Sequence, residues 1–129
     1  MPTFKQGDVV KVPFPYTDRG TRQSRPALVV STGQIESAHG LLWVLMITSA
    51  ENRGWPGDVS VNDLELAGLP APSVIRTAKI ATIEISDATQ LGRIAPRYLN
   101  KVVAKIGIGL GLAPEAAGRS GEGDVVRSL

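Results

Sequence analysis

The chain has 129 residues, enough to bury a hydrophobic core as a single domain. It contains no cysteine, which excludes disulfides and thiolate metal sites, and its net charge of +2 is a modest basic excess compatible with a nucleic-acid partner. No apolar segment typical of a signal peptide follows Met1, and no apolar run reaches transmembrane length. We therefore expect a soluble, cytoplasmic protein that does not contact a membrane.

The first predicted elements are a short strand and a long loop. The strand covers residues 9–13, after a Gly-Asp turn signal. Residues 14–24 contain few aliphatic side chains, which favours irregular structure. Arg19 and Arg22 lie on this loop and are candidate substrate-binding residues.

Two apolar runs, residues 25–31 and 41–49, are the most hydrophobic part of the chain and predict a pair of antiparallel strands. Because neither run alternates with polar residues, we expect both strands to be covered on both faces, at the centre of the sheet. If the strands close directly across the polar break at 32–40, the numbers of opposed residues sum to 73. Arg25 then faces Thr48.

Three further strands are predicted after this pair. Residues 58–61 alternate over a short stretch typical of an edge strand, and residues 62–72 form a connection. Residues 73–83 predict one long strand or two bent ones, and residues 90–94 a last short strand.

One helix is predicted, and it begins at Pro96, a residue suited to the first helical position. Its apolar side chains recur at helical spacing: Leu99, Val102, Val103, Ile106 and Leu110. Ala95 is a poor N-cap, and three glycines near the far end predict fraying beyond Ile106. Residues 113–129 lack periodicity and are predicted to be a disordered tail, so the domain comprises residues 1–112. The fold class is mainly β with a C-terminal helix, as a small, partly open barrel with the helix packed across it.

The residue types exclude several kinds of chemistry. The single histidine, His39, excludes acid–base catalysis by paired histidines, and no nucleophile elbow or glycine-rich phosphate loop is present. The remaining candidates are cations and hydroxyls: Arg25, Thr48, Ser49, Arg76, Thr77 and Lys79. Such groups suit phosphodiesters, whose transition states gain charge on oxygen atoms that fixed donors can stabilise. RNA also carries its own nucleophile, the 2′-hydroxyl.

These residues also occur in motifs that resemble the MazF/PemK family of toxins from type II toxin–antitoxin systems. The resemblance spans roughly residues 6–110, with the motifs in the family's order. They are Gly7-Asp8-Val9-Val10, Val12-Pro13-Phe14-Pro15, Arg25-Pro26-Ala27-Leu28-Val29-Val30-Ser31, Ile47-Thr48-Ser49, Gly68-Leu69 and Ser73-Val74-Ile75-Arg76.

The resemblance implies an SH3-like barrel that forms a homodimer and cleaves single-stranded RNA without a metal or other cofactor. The products would carry a 2′,3′-cyclic phosphate and a 5′-hydroxyl. It also implies a cognate antitoxin that occupies the RNA groove. By motif position, Arg25 and Thr48 are the catalytic residues, and Arg76 is a further arginine used by some members. Ser49, Thr77 and Lys79, together with Arg19 and Arg22, are assigned to substrate binding.

Two features distinguish this chain from some members of that family. Ala78 stands where those members have an aspartate, and the first loop has no histidine. We therefore favour a mechanism that depends on Arg25 and Thr48, with Arg25 stabilising the transition state because a guanidinium remains protonated. Two rival functions stay open at this point: a CcdB-like toxin that binds DNA gyrase, and an SH3-like nucleic-acid-binding module.

Overall fold

The computed structural model of the chain describes residues 3–15 and 22–112. The predicted tail at 113–129 and the candidate Arg19 lie outside these ranges. The helices and strands of the described part are β1 (Asp8–Pro15), β2 (Arg22–Val29), α1 (Gly33–His39), β3 (Leu41–Ser49), β4 (Val59–Val61), α2 (Leu64–Ala67), β5 (Ser73–Glu84), β6 (Thr89–Arg93) and α3 (Pro96–Gly109).

The strands form one antiparallel sheet that curls into a half-barrel, in the order β4-β5-β3-β2-β1-β6. The mainly β fold class with a C-terminal helix is therefore confirmed. Strands β2 and β3, predicted as the centre of the sheet, have two strands on either side of them. The apolar runs thus occupy the positions where burial removes the most surface from water.

Two hydrophobic clusters cover the two faces of the sheet. The first contains Leu28, Leu45 and Ile47, and helix α3 packs on it through Tyr98 and Val102. The second lies on the opposite face and is built from Val10, Val12, Ala27, Val29, Leu42, Val44, Met46, Ile83 and Phe4. Because neighbouring residues of β2 and β3 enter different clusters, the paired stretches 27–29 and 44–46 are apolar throughout.

The register of the central pair is the predicted one. Ala27 pairs with Met46, Leu28 with Leu45 and Val29 with Val44, so opposed numbers sum to 73. The break between the strands is different from the expected direct closure, because it contains helix α1. Gly40 ends this helix with a positive φ of 69°, a conformation that costs a residue with a Cβ more than it costs glycine.

Helix α1 also fastens the start of the chain. Glu36 is buried, and its carboxylate accepts hydrogen bonds from the backbone N–H groups of Thr3 and Phe4, the latter at 3.0 Å. Burial by itself raises the pKa of Glu36, but these hydrogen bonds favour the ionised form more strongly and lower the pKa below its usual value of 4.5. Glu36, a polar residue in the predicted break, is therefore buried and holds the N-terminal segment against helix α1.

Helix α3 begins at Pro96, as predicted, and Ala95 provides no side-chain cap. The expected fraying beyond Ile106 is wrong, because the helix continues to Gly109. Its end is closed by backbone hydrogen bonds from Gly111 to Ile108 at 3.0 Å and from Leu112 to Gly107 at 2.8 Å, with Gly111 at a φ of 76°. The terminal glycines therefore stop the helix instead of unwinding it.

The long strand β5 is bent, as the sequence allowed. Its pairing with β3 shifts by three residues at one point, since Leu45 pairs with Ile80 whereas Met46 pairs with Arg76. The extra residues, 77–79, form a bulge that re-aims the side chains around it. The predicted connection at 62–72 contains the short helix α2. No described helix is long and apolar enough to cross a membrane.

Candidate active site

Arg25 and Thr48 lie on the same face and toward the same end of the sheet. Arg25 belongs to β2, where it pairs with Val12 of β1, and Thr48 belongs to β3, where it pairs with Val74 of β5. The register of β2 and β3, continued two residues past its last pair at Ala27, sets Arg25 opposite Thr48. Side chains alternate along a strand, so both residues share the face of the second cluster.

Thr48 is buried, with only 6% of its surface exposed, and its hydroxyl has a defined partner. The side-chain amide of Asn52 donates a hydrogen bond from Nδ2 to Thr48 Oγ1 at 3.0 Å. Asn52 closes a single turn of 3-10 helix that follows β3 directly, at Ala50–Asn52. A threonine at the end of a buried strand is thereby held by the loop that comes after it.

Arg76 lies on this face too, since it pairs with Met46, but its guanidinium is committed within the protein. It donates from Nε to Asp58 Oδ1 at 3.2 Å and from Nη2 to Asp58 Oδ2 at 3.0 Å. Nη2 also donates to the backbone carbonyl of Asn52. The side chains of Arg76 and Asp58 are 8% and 9% exposed, so this is a two-pronged ion pair shielded from water.

An indole covers this ion pair. The Arg76 guanidinium lies over the ring of Trp55, 4.2 Å from its centroid, and Lys79 Nζ is 5.9 Å from the same ring. Trp55 remains 45% exposed, so one part of the indole packs on the cation while another faces solvent. Arg76 of β5 therefore contacts the segment from Asn52 to Asp58 at three of its residues.

The remaining candidates are spread around this centre. Ser49 is exposed, and its Oγ accepts a hydrogen bond from the Glu51 N–H at 3.2 Å. Thr77 donates from Oγ1 to the Gly57 carbonyl at 2.9 Å, and Lys79 is half-buried. Arg22 is the first residue of β2. The roles of these residues in binding substrate stay predictions, as do those of Arg25, Thr48 and Arg76.

Asn52 and Asp58 were not predicted as site residues from the sequence. Asp58 looked like the first residue of a strand, and Asn52 looked like part of a loop. Their partners are four residues away in one case and 18 in the other, and the second contact depends on the bulge in β5. An amide just after the strand that carries the candidate threonine is the one signal that could have drawn attention to Asn52.

The described residues hold no group of three or more histidine, aspartate or glutamate side chains able to bind a metal ion. His39, the single histidine, is exposed at the end of α1. The polar side chains that the described structure places on the face of the second cluster include Arg25, Thr48 and Arg76.

A curled six-stranded antiparallel half-barrel with a C-terminal helix across it defines a class of small, mainly β proteins. Residues 5–110 match the model of one family within that class, described as PemK-like, MazF-like toxin of type II toxin-antitoxin system. The chain belongs to this family of toxins, as its motifs predicted. No curated protein matches the sequence.

Solved structures agree with this assignment. A crystal structure of MazF from Deinococcus radiodurans is 27% identical, with a TM-score of 0.68 over 84% of this chain and 96% of that one. A MazE–MazF complex from the same organism is 24% identical, with a TM-score of 0.67 over 85% and 97%. An endoribonuclease in complex with its cognate antitoxin, from a mycobacterial species, shares 19% identity and the fold, with a TM-score of 0.66 over 88% and 98%.

Proposed function

We propose that this toxin is an endoribonuclease that cleaves single-stranded RNA without a metal ion. The observation that carries the proposal is the shared face of Arg25 and Thr48 on adjacent central strands. Support also comes from the similar mycobacterial protein described as an endoribonuclease. RNA needs no protein nucleophile, because its own 2′-oxygen can attack the neighbouring phosphorus.

In the proposed reaction a bond forms between the 2′-oxygen and phosphorus while the bond from phosphorus to the 5′-oxygen breaks. The proton of the 2′-hydroxyl passes to solvent, and the departing 5′-oxygen takes a proton from solvent. The guanidinium of Arg25 binds the two non-bridging oxygens, whose charge grows in the transition state. Thr48 donates a hydrogen bond to the same phosphate. The products carry a 2′,3′-cyclic phosphate and a 5′-hydroxyl.

The test is cleavage of a single-stranded RNA in EDTA, with analysis of the product ends. We expect Arg25→Ala to lower the rate roughly 10²–10³-fold, by comparison with the loss of one oxyanion donor, and Arg25→Lys to restore little. Thr48→Ser should keep part of the activity, whereas Thr48→Val should not. Arg93→Ala, which removes an exposed arginine from β6, is the matched control.

Several results would overturn this function. A substrate with hydrogen in place of each 2′-hydroxyl should resist cleavage, because it lacks the nucleophile. Products with 5′-phosphates, or a strict requirement for magnesium, would rule out the proposed chemistry. A folded Arg25→Ala protein that cuts RNA at the normal rate would show that the site is wrong.

We further propose that a cognate antitoxin binds this toxin and covers the face with Arg25 and Thr48. Similar MazF chains form complexes with MazE, and the mycobacterial relative with its cognate antitoxin. An antitoxin segment with acidic side chains would compete with RNA for the same cations. Addition of the antitoxin should therefore abolish RNA binding, and Arg25→Ala should weaken the complex.

We also propose that the chain forms a homodimer through an uncharged apolar groove. The groove has a volume of about 440 Å³ and lies between β3, β5 and α3, lined mainly by Trp43, Ile80, Val103, Ile106 and Leu110. Ile80 is 56% exposed and Trp43 45%. An apolar face without charges suits a second copy of itself better than an acidic antitoxin.

Sedimentation velocity tests the dimer. Ile80→Glu should shift the protein to monomers, because it introduces a charge into the proposed interface. Gln34→Glu adds the same charge at an exposed position of α1 and should leave the dimer intact. If both variants and the parent protein sediment alike, the groove is not the interface.

A further inference from the structure

The contact between Asn52 and Thr48 fixes the direction in which the threonine hydroxyl can act. A hydroxyl has one hydrogen to donate and can accept hydrogen bonds at its oxygen. Thr48 Oγ1 accepts from the Asn52 amide at 3.0 Å, so its own hydrogen must point away from Asn52. A hydroxyl oriented in this way has its hydrogen directed away from Asn52 and, in the proposed reaction, donates it to a phosphate oxygen.

The backbone of Asn52 is held separately from its side chain. Its carbonyl accepts from Arg76, which the ion pair with Asp58 and the ring of Trp55 keep in place. The turn that carries Asn52 begins at Ser49, whose Oγ caps it through the Glu51 N–H. A change confined to the Asn52 side chain therefore removes the contact with Thr48 while leaving these fastenings.

We propose that Asn52 is a positioning residue for catalysis, and that Arg76 acts through it as the support of the loop. This inference rests on the proposed ribonuclease function; it adds Asn52 to its machinery and gives Arg76 a supporting role. In this arrangement Arg76 contributes by holding the Asn52 carbonyl, and its charge is balanced by Asp58 at 3.0 Å. Neither residue has to touch the RNA.

Asn52→Asp tests the proposal because it keeps the shape of the side chain and reverses the hydrogen bond. An ionised carboxylate can only accept, so Thr48 would have to turn its hydrogen toward residue 52 and away from the phosphate. We expect kcat to fall about 10²-fold, the scale of losing one transition-state donor, with KM changed less than about threefold. Asn52→Ala should lower kcat less, because the Thr48 hydroxyl then has no partner at residue 52 and can still turn its hydrogen toward the phosphate.

Two further measurements separate positioning from a general structural effect. The rate of Asn52→Asp should recover partly as the pH falls, since the protonated carboxyl can donate to Thr48 again. In a Thr48→Val background, Asn52→Asp should lower the residual rate no further, because residues that act as a unit are non-additive. Asn62→Asp makes the same change at an exposed position and should behave as the parent protein.

Binding of an uncleavable 2′-deoxy oligonucleotide, followed by fluorescence anisotropy, shows that each variant is folded. A folded Asn52→Asp protein with normal kcat would overturn the role of Asn52 and leave the ribonuclease function standing. If Asn52→Asp lowers kcat by the same factor in the parent and in the Thr48→Val background, the role of Asn52 is likewise overturned. A parent protein that cleaves no RNA would overturn the function and the positioning role together.

Discussion

The ion pair between Arg76 and Asp58 should make a large contribution to stability once one partner is removed. Both side chains are more than nine-tenths buried, and Asp58 receives two hydrogen bonds from the guanidinium. Asp58→Ala leaves the Arg76 charge buried beside the Trp55 ring without its counter-ion. Loss of one partner from a buried pair costs about 3–5 kcal/mol.

That cost is a substantial fraction of the total stability of a domain of this size, which is about 5–15 kcal/mol. It corresponds to a fall in Tm of roughly 10–25 °C, because each kcal/mol shifts the Tm of a domain this large by about 3–5 °C. Thermal unfolding followed by circular dichroism, with urea unfolding as a second measure, provides the assay. Asp87→Ala removes an exposed carboxylate and serves as the control, with a Tm close to that of the parent.

A double variant, Arg76→Met with Asp58→Leu, completes the test. Apolar side chains of similar size avoid the desolvation of both charges, so this protein should melt above either single variant. Melting of Asp58→Ala within about 2 °C of the parent would refute the reasoning, since a buried cation cannot lose its partner at so little cost. The double variant should nevertheless have lower ribonuclease activity, because Asn52 loses its support.

Three other outcomes follow from the fold. The stability contributed by Glu36 should be complete at neutral pH and decline as the pH falls below about 4.5, because the unfolded chain takes up the proton first; Glu36→Gln should flatten this acid limb in urea titrations. Gly68→Ala should cost about 2–4 kcal/mol, since its Cβ would overlap the Leu91 carbonyl at a positive φ, whereas Gly40→Ala, with open space, should cost about 1 kcal/mol. A chain ending at Leu112 should keep its Tm; a fall of several degrees would show that residues 113–129 stabilise the domain.

Much of the architecture could be predicted, because a strand that is buried on both faces has a continuous apolar sequence. Residues 26–30 and 41–47 are apolar without interruption, which is the pattern of central strands. Their register was predicted from closure across the polar break at 32–40, and the pairs are the predicted ones although α1 occupies that break. Helix α3 was visible from its apolar spacing and from Pro96 at its start.

The details of the site could not be predicted, because they depend on contacts between distant segments. As an arginine on a strand, Arg76 was a candidate for binding substrate. The sequence around it gives no sign that Asp58 lies against it. That contact requires the three-residue shift in the pairing of β3 with β5. The anchor at Glu36 was hidden for the same reason, since its partners are backbone groups more than 30 residues away.

The positions of the two tryptophans give the protein a pair of built-in optical reporters. Trp55 is stacked on the Arg76 cation beside the loop that carries Asn52, whereas Trp43 lines the apolar groove on β3. Variants that keep one tryptophan at a time, with phenylalanine at the other position, would separate the two signals. Emission from Trp55 would then report release of the loop from β5, and emission from Trp43 would report association with a second copy. Loop motion and assembly could thus be timed in the same solution without an added dye.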